Sequence, residues 1–546
     1  MANPTDMKRR HFMALGAGVA GGAVASGILP ASARQASGTA PARQVASVRR
    51  PLPLPASGGR RPNLVFFFPD EMRADALGCY GNPVCKTPNY DRLAGSGTRF
   101  AQCHVQFPVC GASRCSLLTG WPTSVHGHRS LYYFLRPDEP NMFRYLKEAG
   151  YDVYWFGKND ALAQESFADS VTKWYDTPSH LPHPTPGERR PSPDAPLTML
   201  LDGTPDRRET SDYALLSQAV SVLEQRDRDR PFCIFLPTGN PHPPYRAPAG
   251  FADLYDPAAL PALIPPGLPD KPLFHHAIRE TYRLNQVDDA TLRKVRATYY
   301  GQVSYADWLL GELMDAIDRT GHADDTALIA SSDHGDYAGD YGLIEKWPSG
   351  LEDCLTHVPL IIRAPGGKAG HVVEEMNELY DIMPTMLELA GTRARHTHFA
   401  RSLVPQLQGA KGDPERAAFS EGGYNIYEPQ AFEPRLGGLY APKTDLQNLE
   451  PKTVARVASV KTNERAFIAR PEETSELYDR RRDPGLTRNR IADPKASAAV
   501  GAMQVALMNH YIRTTGVPPI DKDRRDTPPY YPTPDFTASE QAQPAK

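Results

Sequence analysis

Acidic and basic side chains follow apolar runs at several points of this 546-residue chain. Asp70-Glu71 and Asp333 offer hard oxygen ligands, and carboxylates gathered at one site repel one another unless a divalent cation such as calcium joins them. His242 is flanked by prolines and has a side chain that can protonate a leaving alkoxide near neutral pH. Three basic residues are candidates for holding a tetrahedral oxyanion: Arg114, Lys158 and Lys346. Together these residues predict one site for metal-assisted chemistry on an oxyanion.

Each of these groups also has a structural explanation when it is taken alone. Asp70-Glu71 suits a solvated turn or a helix N-terminus, and the stretch from Asp333 to Asp336 suits a polar loop. Single lysines and arginines are mostly surface residues, and a proline-flanked loop is a common place for a structural histidine. The metal-site interpretation therefore depends on the two groups together, Asp70-Glu71 and Asp333-His334, each of which follows a predicted buried strand.

Cys110 lies in a stretch that predicts the start of a helix. Pro108 is expected to end an extended segment, and residues 113–119 contain no helix breaker until Gly120 and Pro122. Free amide groups and the positive end of the helix dipole would then face an anion beside Cys110. The alternative is that Cys110 is one buried small hydrophobe among seven cysteines.

Four apolar runs predict buried strands of an α/β fold, and each is followed by charged or titratable side chains. Leu64 to Phe68 precedes Asp70-Glu71, as expected for a strand covered on both faces. The other runs are 151–156 before Gly157-Lys158, 232–236 before Asn240-Pro241-His242, and 327–330 before Asp333-His334. In open α/β sheets, ligands bind at the carboxyl ends of the strands. We therefore expect these groups to meet at one sheet edge.

Ordered blocks along nearly all of the chain beyond residue 60 resemble the sulfatase family. Cys110-Gly111-Ala112-Ser113-Arg114, followed by Leu118-Thr119-Gly120, resembles the signature of that family. The other blocks that carry the resemblance are 61–70, 75–82, 86–94, 332–336, 339–343 with Lys346, 358–362, 381–385, 476–479 and 483–485. So many blocks in the same order make a chance resemblance improbable.

The resemblance implies an alkaline-phosphatase-like α/β fold: a large mixed sheet sandwiched by helices, with a smaller C-terminal domain containing a short antiparallel sheet. It also implies a sulfuric ester hydrolase in which a maturation enzyme oxidises Cys110 to formylglycine, whose hydrate is the nucleophile. A hydrate keeps a second hydroxyl after it takes a sulfuryl group, so deprotonation expels sulfate, whereas a serine or cysteine would remain a stable ester. The implied cofactors are Ca²⁺ and formylglycine.

The resemblance also assigns roles to individual residues. It gives four calcium ligands: Asp70, Glu71, Asp333 and His334. The catalytic residues are Cys110 as nucleophile, Arg114 on the hydrate, Lys158 and Lys346 on the sulfate oxygens, and His242 at the leaving group. Lys158, Lys346 and His242 therefore also bind substrate, and the charge that they place beforehand stabilises the transition state.

The chain departs from the family pattern at three positions. Glu71 stands where a second aspartate is commonest, and its longer side chain is expected to shift or loosen the metal. Asp160 follows Gly157-Lys158 where the family often has a histidine, so Asp160 either deprotonates the hydrate or only shapes the pocket. Ala112 replaces a commoner proline, and this difference is expected to influence which maturation enzyme recognises the site.

Two other functions stay open. The first keeps the fold and hydrolyses phosphate or phosphonate esters, because a tetrahedral anion on a divalent metal suits either element. The second is an anion- or glycan-binding protein in which Cys110 stays a thiol. The expected substrate is a sulfate monoester of a carbohydrate, approached through loops at 132–134, 182–196 and 247–284. Surface packing of the aromatic residues in these loops is the alternative.

The first residues predict an export signal of the twin-arginine type. Lys8-Arg9-Arg10 precedes an uncharged stretch rich in Ala and Gly, and Ala31-Ser32-Ala33 offers a cleavage site. An uncleaved anchor is the alternative, but many glycines make a weak membrane helix. We expect cleavage, no stable membrane insertion and a periplasmic or secreted protein.

The rest of the chain divides into a linker, two domains and a tail. The expected boundaries are a signal at 1–33, a disordered linker at 34–60, a catalytic domain at 61–410, a C-terminal subdomain at 411–515 and a Pro-rich tail at 516–546. A net charge of −3 without a long basic run gives a nucleic-acid function no support. The six cysteines other than Cys110 are available for disulfides of unknown connectivity, and the oligomeric state is not indicated.

Overall fold

The computed structural model of the protein describes residues 61–177, 197, 199–201, 203–226, 229–433 and 438–516. The predicted signal and linker at 1–60, the segment 182–196 and the tail from residue 517 lie outside these residues. In the described part of the chain, no helix is both long and apolar enough to cross a membrane.

The first apolar run forms strand β1, Asn63–Pro69, at the middle of a nine-stranded sheet. Val65 and Phe67 belong to one hydrophobic cluster, while Leu64 and Phe66 belong to another, so successive side chains fill the two faces of the sheet. The other strands of this sheet are β2 (Thr98–His104), β3 (Asp152–Phe156), β4 (Lys173–Tyr175), β5 (Phe232–Thr238), β6 (Thr326–Ser331), β7 (His357–Val358), β8 (Leu360–Arg363) and β9 (His371–Glu378). A strand covered on both faces has no polar side to display, which explains its continuous apolar run.

The four predicted strands are neighbours in space. The sheet order is β4-β3-β5-β1-β6-β8-β2-β7, with β9 paired to β2. Strands β3, β5, β1 and β6 are mutually parallel, so their carboxyl ends lie at one edge. Beyond them β8 runs antiparallel to β6 and β2, whereas β9 is parallel to β2. The sheet is therefore mixed, and the predicted α/β fold class is confirmed.

Helices surround the sheet and connect its strands. They are α1 (Pro88–Ser96), α2 (Cys110–Thr119), α3 (Met142–Glu148), α4 (Phe167–Ser170), α5 (Ser211–Gln225), α6 (Leu273–Thr281), α7 (Asp289–Arg319), α8 (Asp353–Thr356), α9 (Ile382–Leu389), α10 (Val404–Leu407), α11 (Ala441–Leu449) and α12 (Ser497–Thr514). The predicted helix after Pro108 is α2, which begins at Cys110 and ends before Gly120, whose φ of +69° suits a residue without a Cβ.

A second, four-stranded antiparallel sheet lies near the C-terminus. Its strands are β10 (Ala418–Gly422), β11 (Val457–Lys461), β12 (Arg465–Ala469) and β13 (Glu476–Asp479), in that order. Its inner residues pack with α12 in a small hydrophobic cluster. The sheet falls within the predicted C-terminal subdomain, and the boundary at residue 410 stays a prediction.

All seven cysteines lie among the described residues, and each is a free thiol. Cys115 follows Cys110 on α2 but points into the core, where its Sγ lies 3.5 Å from the Ala161 carbonyl oxygen. The fold is thus assembled without the disulfides that export would permit.

Candidate active site

The acidic turns after β1 and β6 are tied to each other by hydrogen bonds. The Glu71 amide donates to Asp333 Oδ1 at 3.2 Å, and the Ser332 hydroxyl donates to the Pro69 carbonyl oxygen at 2.7 Å. Strands β1 and β6 are parallel neighbours, so these turns meet where both strands end. Asp70 and Asp333 are therefore brought together as predicted, and both are fully buried.

Cys110 lies at the first position of α2, facing these carboxylates. Its Sγ is 3.4 Å from Asp70 Oδ1 and 3.1 Å from His334 Nε2. The Ser113 hydroxyl, one turn along α2, donates to the Asp333 carbonyl oxygen at 2.6 Å and holds the helix against the β6 turn. Burial, together with the nearby Asp70 carboxylate, raises the pKa of the Cys110 thiol well above its usual value. An unmodified Cys110 thiol thus stays protonated in this environment.

Arg114 and Lys158 neutralise the two buried aspartates. Arg114 Nε lies 2.9 Å from Asp333 Oδ2, and a terminal nitrogen of the same guanidinium reaches Asp70 Oδ2 at 3.1 Å. Lys158 Nζ is 2.6 Å from Asp70 Oδ2. Burial alone would raise the pKa of Asp70, but the charges of Lys158 and Arg114 hold it well below its usual range. Asp70 is therefore ionised throughout the neutral range.

The donor atoms around Cys110 fit a divalent cation. His334 Nδ1 lies 2.9 Å from the Gly335 carbonyl oxygen, so in the neutral ring Nδ1 carries the proton and Nε2 presents its lone pair. Ligand atoms of Asp70, Cys110, Asp333 and His334 lie within 4.8 Å of one another. Two carboxylates and an imidazole around one point form a donor set for a metal, with the Cys110 position beside it.

Glu71 points toward a different part of the site. Its Oε1 contacts Lys346 Nζ and lies 3.3 Å from His242 Nε2, in an overlapping group with Asp70 and Cys110. Burial raises the pKa of the Glu71 carboxyl. In this arrangement the Glu71 carboxylate lies beside Lys346 and His242. The assignment of Glu71 as a calcium ligand stays a prediction.

His242 and Lys346 form a hydrogen-bonded pair. Lys346 Nζ is 3.1 Å from His242 Nε2, and His242 Nδ1 contacts the Pro243 carbonyl oxygen. Burial, with the adjacent Lys346 charge, lowers the pKa of His242 well below 6.5. His242 Nε2 therefore accepts a hydrogen bond from Lys346 here, and the predicted role as a proton donor requires that its pKa rise when a substrate anion binds.

Asp160 also lies at the site, beside Lys158. Its Oδ2 is 3.0 Å from Lys158 Nζ, so Asp160 shares that cation with Asp70. This contact supports a part in shaping the pocket, while its alternative role as a base stays a prediction. The structure thus brings every predicted site residue to the carboxyl edge of the sheet.

The predicted approach loops contribute in part. Pro248, in the predicted stretch 247–284, lines a pocket of about 240 Å³ that adjoins Asp70, Lys158 and His242. Tyr132 and Tyr133 are 44% and 45% exposed and belong to the segment that packs beside Cys110. The segment 182–196 lies outside the described residues.

Two residues that support Lys346, Glu345 and Lys443, were not predicted from the sequence. Glu345 Oε1 is 3.3 Å from Lys346 Nζ and 2.7 Å from Lys443 Nζ, which α11 supplies from the C-terminal part of the chain. Trp347 donates from Nε1 to the Thr453 carbonyl oxygen at 2.7 Å. Glu345 adjoins Lys346 in sequence and was a possible signal, whereas Lys443 lies in no recognisable motif.

Comparison with known proteins supports the resemblance stated above. The sequence profile of the Sulfatase family matches residues 62–392. The multifunctional alkaline phosphatase superfamily protein PehA of Trinickia caryophylli is 30% identical over 64% of this chain and 75% of its own length. An arylsulfatase of Clostridium perfringens is 26% identical over 60% of this chain and 75% of its own length.

A similar fold is found among solved structures. The phosphonate monoester hydrolase of Agrobacterium radiobacter superposes with a TM-score of 0.67 at 22% identity, over 83% of this chain and 96% of that chain. At this identity the likeness concerns the fold alone.

Proposed function

Because the chain belongs to the sulfatase family of the alkaline-phosphatase-like superfamily and is a sulfuric ester hydrolase, we propose that it cleaves sulfate monoesters with a nucleophile derived from Cys110. The observation that carries this proposal is the convergence of Asp70, Asp333 and His334 on Cys110 at the N-terminus of α2. In the proposed active form Cys110 is formylglycine, whose hydrate supplies the attacking oxygen. A calcium ion held by Asp70, Asp333 and His334 would supply Lewis acidity at a sulfate oxygen.

The residues of the chain itself orient the ester and balance its charge. The α2 N-terminus directs free amide groups toward the anion, and Arg114 holds both aspartates in place. Lys158 Nζ lies beside Asp70, and Lys346 Nζ lies beside Glu71 and His242. Both ammonium groups would contact sulfate oxygens. His242 faces the pocket where the leaving alcohol would lie, and it can give a proton to the alkoxide once the anion raises its pKa.

The charge pattern favours a monoanionic ester. Arg114 is paired with Asp70 and Asp333, and Lys158 with Asp70 and Asp160. Lys346 is likewise paired with acidic neighbours. A phosphate monoester carries nearly two negative charges at neutral pH, and its second charge is repelled by the carboxylates of the site. At 4 Å from one carboxylate this repulsion costs roughly 1–4 kcal/mol at effective dielectric constants of 80 to 20. We expect kcat/KM for a sulfate ester to exceed that for the matching phosphate monoester about five-fold or more.

A phosphonate monoester is the second candidate substrate, because it carries a single charge on the same tetrahedral geometry. PehA, a relative named as multifunctional, gives reason to test more than one class of ester. Turnover should be compared on sulfate, phosphonate and phosphate esters of one phenol. If the phosphonate is the best substrate, the sulfate monoester assignment is wrong.

We also propose that the leaving alcohol is a carbohydrate and that the enzyme acts after export. The pocket beside His242 is lined by prolines and by polar side chains that can bind hydroxyl groups, including Glu209, Asn240, Arg246 and Gln302. The signal-like residues 8–33 support an exported enzyme. Assay of a panel of sulfated sugars and detection of the shortened mature chain in the periplasm test these two points.

The nucleophile is tested by mass spectrometry of the peptide that contains Cys110. A fraction lighter by the thiol-to-aldehyde difference should be present and should follow specific activity across preparations. Cys110→Ala should fold without activity, whereas the matched variant Cys115→Ala should retain activity because Cys115 points into the core. Full activity from unmodified Cys110 thiol would contradict the proposed nucleophile.

A further inference from the structure

A second cluster of metal-type ligands lies outside the active site, in the segment between α2 and α3. His126 Nδ1 and His128 Nε2 each lie 2.8 Å from the same oxygen, Glu139 Oε1. The three ligand atoms lie within 4.8 Å of one another. None of these residues belongs to the site around Cys110.

The hydrogen bonds of this cluster require a positive centre between His128 and Glu139. His128 Nδ1 contacts the Tyr133 carbonyl oxygen, which only accepts hydrogen bonds, so Nδ1 carries a proton. A neutral imidazole has one N–H, and the lone pair of His128 Nε2 would then face the Glu139 carboxylate. The other carboxylate oxygen accepts the Arg136 amide at 2.9 Å. Either an extra proton or a metal ion must therefore lie between Nε2 and Oε1.

We propose that His126, His128 and Glu139 bind a divalent transition metal ion of the zinc type. Two imidazole nitrogens and one carboxylate oxygen suit such an ion better than calcium, which prefers oxygen. A backbone carbonyl that fixes the tautomer of His128 is the usual partner of a metal-bound histidine. The His126 side chain is 25% exposed, which leaves a path for the ion and for water as a further ligand.

The ion would require only a small opening of the cluster. At metal–ligand bonds of about 2.0–2.1 Å, ligand atoms of a tetrahedral site lie roughly 3.3 Å apart. The distances of 2.8 Å to Glu139 must therefore grow by about 0.5 Å. The ring of His126 rests on Trp121 at 5.0 Å between centroids and its side chain is 25% exposed, so its distance to Glu139 can lengthen on the solvent side. The His128 distance must lengthen by a movement of the Glu139 carboxylate.

The site would anchor the segment that borders Cys110. A Cβ on Gly111 would lie 2.8 Å from the Ser130 carbonyl oxygen and 3.3 Å from Leu131 Cα, so this segment is packed directly on the start of α2. His128 holds the Tyr133 carbonyl, and the Tyr132 side chain is 44% exposed. Metal binding at His128 would thus hold in place the segment 128–133, which packs on the start of α2 beside Cys110.

The test uses the full chain after chelation and dialysis into calcium, followed by titration with Co²⁺ and then Zn²⁺. We expect one tightly bound Co²⁺ per chain, with visible d–d absorption that Zn²⁺ abolishes, and a Zn²⁺-dependent rise in Tm. His128→Ala and Glu139→Gln should weaken Co²⁺ binding about 100-fold or more, since altering even the outer partners of a metal site costs about 10–100-fold. His126→Ala, at the most exposed position, should fold normally and lose the Zn²⁺-dependent rise.

Two variants separate this site from other histidines and from the active site. His276→Ala removes an exposed histidine that also neighbours a glutamate and should bind Co²⁺ as the wild type does. Asp333→Ala should retain the Co²⁺ spectrum. The proposal is wrong if Co²⁺ binding is lost in Asp333→Ala and kept in His128→Ala. It is equally wrong if the wild-type chain binds no stoichiometric Co²⁺ or Zn²⁺, because a protonated pair then holds the cluster.

Discussion

Replacing Lys346 by methionine tests whether its charge acts in the transition state. Lys346→Met keeps most of the side-chain volume at a position that is 4% exposed, but it removes the ammonium that contacts Glu71 and His242. Loss of one preorganised donor to a developing oxyanion typically lowers kcat by about 10²–10³, or roughly 2.7–4 kcal/mol. We expect a loss of that size on an aryl sulfate.

The fold should tolerate this substitution because both acidic neighbours of Lys346 have another way to balance their charge. Glu345 keeps Lys443, 2.7 Å away. Burial raises the pKa of Glu71, so this carboxyl takes up a proton readily. The Tm of Lys346→Met should therefore stay near that of the wild type.

Lys443→Met is the matched control, because it removes the same charge from behind Glu345. In this variant Glu345 keeps Lys346, 3.3 Å away, but Glu433 loses the Lys443 ammonium, 3.6 Å away. Leaving a buried charge without its partner typically costs about 3–5 kcal/mol of stability, so Lys443→Met should lose more stability and less turnover than Lys346→Met. The measurements are kcat/KM and urea unfolding. Turnover of Lys346→Met within about threefold of the wild type would refute the transition-state role, since removing such a donor costs about 10²–10³.

The pH dependence of kcat/KM in the same variant tests the role of His242. Burial and the Lys346 charge both lower the pKa of His242. Removing that charge lets the pKa rise toward its unperturbed value of about 6.5, so His242 becomes protonated at higher pH. Because His242 acts as the proton donor, activity falls as it loses its proton, so the basic limb of kcat/KM should move to higher pH in Lys346→Met. An unmoved basic limb would show that His242 does not control it.

Three further outcomes are expected. A strong chelator should abolish activity and calcium should restore it, while Asp333→Ala should lose calcium at the active site by metal analysis; stoichiometric calcium with turnover in this variant would contradict the assignment. His242→Ala should slow esters of poor leaving groups more than good ones, because only the former need a proton, and equal losses would remove it as the acid. Gly335→Ala should unfold at lower urea concentration, since its Cβ would lie 2.0 Å from the Cys354 carbonyl oxygen; an unchanged midpoint would contradict that packing.

The strands that deliver the site were predictable because a strand buried on both faces must be apolar at every position. The runs at 64–68 and 327–330 show this, and each is followed by a buried aspartate of the site, Asp70 or Asp333. Their order in the sheet was not predictable, because no residue in one parallel strand identifies its neighbour. The start of α2 at Cys110 was predictable from Pro108 and Gly120, which act locally.

The supporting contacts were not predictable, because they join distant segments without local signals. Lys443 lies 98 residues from Glu345 and meets it only through packing of α11. His126 and Glu139 lie 13 positions apart in the chain, and nothing in their spacing indicates that one oxygen meets two imidazoles. Residues that contact the reacting atoms lie in recognisable motifs. The residues that position them are brought there only by the complete fold.

Glu71 shows how backbone conformation turns a small sequence difference into a different arrangement. Its φ of +64° is unusual for a residue with a Cβ, and its turn is held by the bond from its amide to Asp333 and by the Tyr299 hydroxyl on its carbonyl. With the backbone fixed at both ends, the side chain leaves on the side of Lys346 and His242. The extra methylene of glutamate then carries the carboxylate to the Lys346 ammonium. Glutamate instead of aspartate at this position therefore changes the charge around Lys346 and His242, where the leaving group would lie. This effect is at least as important as any effect on the metal.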